Sequence, residues 1–300
     1  MTIDVKLASI RKLKFMDNID LFKCPVCGQE MKFHNYNTLT CIDNHSFDLA
    51  KKGYVNLLLN SVKTEYGKQM FESRKVVSDK GFFDTMIDRV SNMLAEEISK
   101  MLFTDVKILD AGCGEGTHLA QVLKNLKKRT CVNLQGIGLD ISKEGIQIAA
   151  KNYHEIIWCV ADLARIPVRD RQFNIVLNIL SPANYKEFNR ILRDDGILVK
   201  VVPGSSYLKE LRNIFYEDDK KAYSNEEVIN HLANNFNILD IHDVSYEFEI
   251  NKEEELESII KMTPLSWGVT KERILKAFNE INKITVDLQI VFGSRVATKP

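Results

Sequence analysis

The sequence has no long apolar run, no excess of charge of either sign, no internal repeat and no low-complexity tract. Each absence excludes a class. A membrane span needs about 18 consecutive apolar residues, and no stretch approaches that. Disorder by composition needs low hydrophobicity with high net charge. Here apolar residues make up 45% and Lys+Arg and Asp+Glu both number 41, so the formal net charge is zero. The first twenty residues are broken by charges every few positions and lack the apolar core of a secretory signal. The expected location is therefore the cytoplasm. A length of 300 residues is about twice a usual domain of ~150, which leaves room for a medium domain and a small module.

Six cysteines are present: Cys24, Cys27, Cys41, Cys113, Cys131 and Cys159. In a reducing compartment a local cluster points to metal rather than to disulfides. Cys24-Pro-Val-Cys27-Gly is followed thirteen residues later by Cys41-Ile-Asp-Asn-His45. Two turns, each offering two ligands, make a tetrahedral Cys3His shell suited to Zn2+. Four protein ligands leave no open position, so the zinc is expected to be structural. His34 is read as an ordinary surface histidine. The three later cysteines are read as small core or loop residues.

The zinc-binding module is assigned to residues 1–60. It is too small to bury a sufficient core, so metal would supply much of its folding energy. A basic linker at 61–82 follows, helical from about Gln69. Residues 1–80 hold 13 Lys+Arg against 9 Asp+Glu, a small excess that permits a nucleic-acid partner without demanding one. Lys51, Lys52, Lys63, Lys68, Arg74 and Lys75 are the candidates for a basic face.

From residue 83 to 300 the pattern changes. After a helical stretch from Phe83 to Leu102, short apolar strands alternate with amphipathic helices. Strands are expected at 106–112, 134–140, 156–161, 173–180 and 196–203, with helices near 117–127, 143–152 and 183–193. The chain continues with helices near 205–216 and 225–234, then two β-rich stretches at 237–249 and 283–294 around a helical insert. The series implies an α/β fold: a parallel sheet with helices on both faces.

The strand at 106–112 runs into Asp110-Ala-Gly112-Cys-Gly114-Glu115-Gly116, and a helix follows. Glycines are needed where backbone turns sharply against a ligand, and such a unit places that ligand at the carboxyl edge of the sheet. The spacing is G-x-G-x-G, not the G-x-G-x-x-G of dinucleotide binding. A pyrophosphate would be repelled by Asp110 and Glu115, whereas the sulfonium and amino group of S-adenosylmethionine would be attracted. Asp140 ends the next strand, where a carboxylate can accept ribose hydroxyls. Asp162 follows the third, where it can bond an adenine amino group. His118 begins the helix after the loop, at the cofactor end of the sheet. Together these predict a Rossmann-like class I S-adenosylmethionine methyltransferase fold.

The acceptor side is less legible. The fourth strand ends Asn178-Ile-Leu-Ser181-Pro182-Ala, lacking the second proline and the aromatic with which some enzymes hold an exocyclic amine. No residue declares itself a general base, so the catalytic residues stay unknown. The segment Thr263-Pro-Leu-Ser-Trp267 is read either as a base-stacking loop or as a hydrophobic anchor.

These motifs together resemble the RlmA family of 23S rRNA guanine-N1 methyltransferases along nearly the whole chain. The resemblance rests on Cys24-Pro-Val-Cys27 and on the run His45 to Leu57 (HSFDLAKKGYVNL). It rests further on the glycine loop, Gly138-Leu-Asp140-Ile-Ser-Lys143, Ser181-Pro182-Ala, Val202-Pro-Gly204 and Met262-Thr-Pro264-Leu-Ser-Trp267. It implies methyl transfer to N1 of a guanine in an rRNA hairpin loop near the peptide exit tunnel. It also implies a bearing on macrolide susceptibility in a Gram-positive branch, a possible homodimer, and use of the zinc-binding module in RNA recognition. By matching motifs it puts Thr117, His118, Asp140, Phe83 and Tyr207 at cofactor-contact positions, and Cys24, Cys27, Cys41 and His45 on the zinc. Other readings stay open: a methyltransferase for another RNA or a small molecule, or a catalytically silent zinc-bearing RNA-binding or ribosome-assembly factor. An NAD-dependent oxidoreductase is disfavoured by the loop spacing and Glu115.

Overall fold

The computed structural model describes residues 10, 12–34, 37–60, 66–101, 104–217 and 223–296. After a helical stretch at 12–17 and a 3-10 turn at Ile19–Leu21 come three short antiparallel strands, β1 (Met31–His34), β2 (Thr38–Cys41) and β3 (Ser46–Asp48), in the order β1-β2-β3. A second sheet of eight strands holds the rest of the fold. Its parallel part contains β5 (Asp105–Ala111), β6 (Asn133–Asp140), β7 (Ile157–Val160), β8 (Phe173–Ile179) and β9 (Leu192–Pro203). The spatial order is β10-β11-β9-β8-β5-β6-β7-β4. The order reverses direction at β5, so a crevice opens at the carboxyl ends of β5 and β8, where α/β sheets bind ligands.

β4 (Tyr54–Asn56) departs from the sequence reading. It lies within the first 60 residues, yet it pairs in parallel with β7 and forms one edge of the large sheet. At the other edge, β10 (Phe236–Glu249) and β11 (Lys283–Arg295) form a long antiparallel hairpin, with β11 antiparallel to β9. β11 is buried along most of its length because it is an interior strand, even though Thr285, Asp287 and Gln289 alternate with its apolar residues, whereas β10 is an edge strand largely exposed on one face.

Helices flank the sheet, among them α1 (Lys68–Asp79), α2 (Asp84–Lys100), α3 (Thr117–Arg129), α4 (Lys143–Asn152), α5 (Tyr185–Ile191), α6 (Lys209–Phe215), α7 (Glu226–Ala233), α8 (Glu253–Lys261) and α9 (Lys271–Glu280). Their starts follow local chemistry. Ser142 accepts from the Gly145 amide to begin α4, and Asn184 accepts from Glu187 to begin α5. Within the expected linker, residues Lys68–Asp79 form α1, which packs against α4 and α8.

Two apolar layers form on the two faces. One joins α2, α3, α4, α6 and α8 to residues such as Ile108, Trp158 and Leu288. The other is shared with the zinc end: Leu21, Phe22, Met31 and Leu39 lie in the same layer as Leu109, Val168 and Phe188. Main chain joins them too, since Phe22 bridges to Val168. Trp158 is fully buried. A Cβ added at Gly116 or Gly138 would meet its ring at 2.4 and 2.2 Å, so these two glycines make room for the indole beneath the glycine loop.

Candidate functional site: a Cys3His centre and an acidic cleft

At the zinc end the four expected ligands converge. The ligand atoms of Cys24, Cys27, Cys41 and His45 all lie within 4.8 Å of one another. Cys27 Sγ is 3.6 Å from Cys41 Sγ, and His45 Nδ1 is 3.6 Å from Cys24 Sγ and 3.3 Å from Cys41 Sγ. Ligands about 2.3 Å from a tetrahedral zinc stand about 3.8 Å apart, so the cradle fits the ion. Backbone sets the first turn: Cys24 carbonyl accepts from Gly28, and Cys24 N–H donates to Gln29. Gly28 takes φ +77°, a left-handed conformation that glycine adopts without strain. His34 stands outside the centre. Cys159 is buried and Cys131 is exposed, whereas Cys113, read as a core or loop residue, is buried in the lining of the cleft at the carboxyl edge of the sheet.

The second site is a cleft of about 660 Å³ at the carboxyl edge of the sheet. Among the expected cofactor residues, Phe83, Gly112, Glu115, His118 and Tyr207 line it. Gly114, Gly116 and Thr117 belong to the same loop, with Asp110 and Asp140 at the strand ends that carry it. Gly112, Gly114 and Gly116 all have positive φ. At Gly112 a Cβ would lie 1.8 Å from Ser181 Oγ, so this glycine lets the loops after β5 and β8 close on each other.

Asp140 holds the loop in place. Its Oδ2 accepts from the Gly114 amide at 2.8 Å, and its Oδ1 from the Ser142 amide at 2.7 Å. Each oxygen keeps a second lone pair for a ligand hydroxyl. Asp162 lies outside the cleft lining; its Oδ1 accepts from Ala164 and caps a short 3-10 turn.

Electrostatics give the cleft its preference. Burial raises Asp110 well above the usual carboxylate range, and Asp140 and Glu115 push it further. Burial also raises Glu115 and Asp140, with Arg74 opposing in both cases. His118 is held neutral, pushed down to about 3 by burial and then by Arg74. It packs edge-on against Phe83 at 4.8 Å. Among the described residues three buried atoms here lack a protein partner: Asp110 Oδ1, Glu115 Oε2 and His118 Nε2. Buried polar atoms are normally paired, and clustered carboxylates favour a cation. A ligand carrying a sulfonium, an ammonium and ribose hydroxyls satisfies both requirements, so these residues fit S-adenosylmethionine. When bound, that cofactor supplies an electrophilic methyl group.

Sequence reasoning missed several residues of this site. Arg74 was expected on a basic RNA-facing surface, but it lines the cleft and donates to the Met262 carbonyl at 3.4 Å. Its guanidinium lies 5.8 Å from the Phe71 ring, which packs over Gly114. The other candidates on that face fare unevenly. Lys68 pairs with Glu72, Lys75 pairs with Asp79, and Lys52 donates to Gln147. Lys63 lies outside the described residues. The far half of the cleft holds Ser181, Tyr185, Lys200, Glu227 and His231. Lys200 carried no motif. Its only sequence signal is a lysine inside an apolar strand. Pro264 and Leu265 line the cleft beside Arg74, and Trp267, 44% exposed, rests at 5.7 Å from the Tyr66 ring.

Strand order, glycine loop and acidic cleft define a class I S-adenosylmethionine-dependent methyltransferase that carries a zinc ribbon. The family described as "RlmA, N-terminal" matches residues 22–64, and a methyltransferase domain matches residues 108–196. The chain is 38% identical over 288 residues to "Putative 23S rRNA (guanine-N(1)-)-methyltransferase YxjB" from Bacillus subtilis, covering 93% of this chain and 98% of that one. It is 28% identical to "23S rRNA (guanine(748)-N(1))-methyltransferase" from Streptomyces fradiae, covering 90% and 94%. A solved structure, the YcgJ protein from Bacillus subtilis, aligns with a TM-score of 0.44 at 14% identity, over 69% of this chain and 98% of that one. The chain belongs to the RlmA family of methyltransferases.

Proposed function

We propose that this protein transfers the methyl group of S-adenosylmethionine to N1 of a guanine in 23S rRNA, in a hairpin loop near the peptide exit tunnel. The observation that carries this reading is the full-length match to a relative of that name, spanning zinc ribbon and methyltransferase domain together. The cleft agrees with it. One half is acidic and suits the cofactor. The other half, from Ser181 to Lys200 and His231, is open to an acceptor.

Transfer to N1 is an in-line displacement, and holding donor and acceptor in line supplies much of the rate. Guanine N1 is buried in a base pair within a duplex, so an unpaired loop guanine costs less to flip into a pocket. The zinc-binding RNA-recognition role falls to the part of residues 1–60 that precedes β4; β4 and α1, expected in the module and in the 61–82 linker, work with residues 83–300 as the catalytic domain. Lys51, Lys52 and Lys68 remain the exposed cations for phosphate contact. The protein works in the cytoplasm, where its substrate is. Modification of an exit-tunnel guanine would alter macrolide susceptibility. Among the described residues no helix is long and apolar enough to cross a membrane.

The test uses 23S rRNA from a strain lacking this gene, incubated with purified protein and S-adenosylmethionine. N1-methylation blocks Watson–Crick pairing, so reverse transcription should stop at one guanine. Absence of any new stop, with cofactor binding intact, overturns the reading.

A further inference from the structure

Removing the N1 proton of guanine needs an acceptor that no motif names. Lys200 lines the cleft together with Ser181 and His231 and is 4% exposed. It stands opposite Asn178 in the parallel pairing of β8 with β9. Its Nζ donates to Asn178 Oδ1 and to the Ser181 carbonyl, each at 2.5 Å. The amide of Asn178 has no freedom to reverse. Its Nδ2 donates to the Ala111 carbonyl at 2.7 Å and to the Pro182 carbonyl at 3.0 Å, so Oδ1 must accept from Lys200. A neutral amine has two N–H groups and one lone pair. Both N–H directions are used, and the remaining pair is left for a ligand.

We propose that Lys200 is the general base of the reaction, its neutral Nζ taking the N1 proton of the substrate guanine. This rests on the guanine-N1 reading above. The N1–H bond breaks, the proton passes to Nζ, and the bonding pair stays on N1. That pair forms the N1–CH3 bond as the sulfur–methyl bond breaks, and sulfur keeps its electrons in S-adenosylhomocysteine. The ammonium then returns its proton to solvent.

Burial lowers the ionisation of this lysine to about 8, with no charged neighbour contributing. The titratable groups that share this half of the cleft are Tyr185 on α5, Arg212 on α6, Tyr223, and Glu227 and His231 on α7. None is hydrogen-bonded to Nζ among the described residues. A buried lysine with an ionisation near neutrality suits general base catalysis.

The experiment compares wild type, Lys200→Met and Lys200→Arg on the unmodified rRNA, by single-turnover rate against pH and by S-adenosylhomocysteine calorimetry. Arginine keeps the charge and two donors for Asn178 and Ser181 but does not deprotonate. Both variants should lose at least about 100-fold in rate while homocysteine-cofactor affinity stays within about threefold. The wild-type rate should rise with pH and level near 8. If Lys200→Arg keeps a rate within about tenfold of wild type, or if both variants lose cofactor affinity along with rate, Lys200 only positions the Ser181 loop and the proposal falls. Failure of the wild-type protein to modify any guanine N1 instead overturns the functional reading, and is seen without any variant.

Discussion

Two loops in this molecule turn on a left-handed glycine, and they are held by different forces. Gly28 closes the zinc knuckle at φ +77°, and Gly116 starts α3 at φ +80°. A Cβ at Gly28 would meet nothing within 4 Å, whereas one at Gly116 would lie 2.4 Å from Trp158. The knuckle is a thin layer whose shape depends on four ligand atoms around a metal. The cofactor loop is pressed onto a packed core. The same backbone requirement therefore carries different costs in the two places. The two regions are still joined, because β4 enters the large sheet and Leu21, Phe22 and Leu39 share an apolar layer with Val168 and Phe188.

The largest expected effect separates the two regions outright. Cys24→Ser, or chelation, should remove the zinc and release on the order of 10 kcal/mol of local folding energy. Hydrogen exchange should become fast at 24–48, with metal content near zero. S-adenosylhomocysteine affinity should stay within about threefold, because the cleft is walled by α1, the glycine loop and residues 262–265. Loss of cofactor binding on chelation would break the comparison, by showing that the shared layer transmits the collapse.

The next effect contrasts the glycines. Gly116→Ala adds left-handed strain of about 1–2 kcal/mol to overpacking against Trp158 of about 1–3 kcal/mol, so about 3 kcal/mol is expected. Gly28→Ala bears the strain alone, at about 1 kcal/mol. Urea unfolding of the two variants measures the gap. Equal losses would mean that Trp158 moves aside and that the loop is not pinned by the core.

Asp140 comes third. It latches Gly114 and Ser142 through backbone amides, so Asp140→Asn reverses one of those contacts and removes a charge. Hydrogen bonds to charged groups contribute about 1.5–3 kcal/mol, which makes a loss of at least about tenfold in S-adenosylmethionine affinity the expected result by calorimetry. Unchanged affinity would remove Asp140 from the cofactor site.

What the sequence made legible follows the same division. The zinc ligands lie on two tight turns, so spacing alone assembles them. The glycine loop and Asp140 stand at strand ends, where the βα pattern fixes their place. The elements from β5 to β11 follow from period and punctuation for the same reason. Arg74 and Lys200 were not legible in this way. Arg74 reaches the cleft because α1 folds back over Gly114 and meets Met262, a contact across 188 residues. Lys200 meets Asn178 only through strand pairing. β4 was missed because a three-residue strand carries no period of its own. In each case the information lies in tertiary packing, which a window of neighbouring residues does not contain.

The smallest effect uses pH to tell the two histidine sites apart. His118 is buried and neutral, with its ionisation pushed from 6.5 to about 3. The unfolded chain takes up that proton first. Stability from this residue is therefore whole above about pH 6.5 and is lost as pH falls toward 3, at up to about 1.4 kcal/mol per pH unit. Asp110 acts in the opposite sense. Its raised folded-state ionisation favours the folded form at low pH and loses that contribution as pH rises above the usual carboxylate range. Acid also weakens the zinc centre, since protons compete with the metal for its ligands. The difference between wild type and His118→Gln isolates the first contribution, because Asp110 and His45 are common to both chains. Urea titrations at steps from pH 7.5 to pH 5 should show wild type losing ground on the variant only below about 6.5. Parallel curves would mean that His118 is solvated in solution, and that the cleft is wetter than its packing against Phe83 indicates.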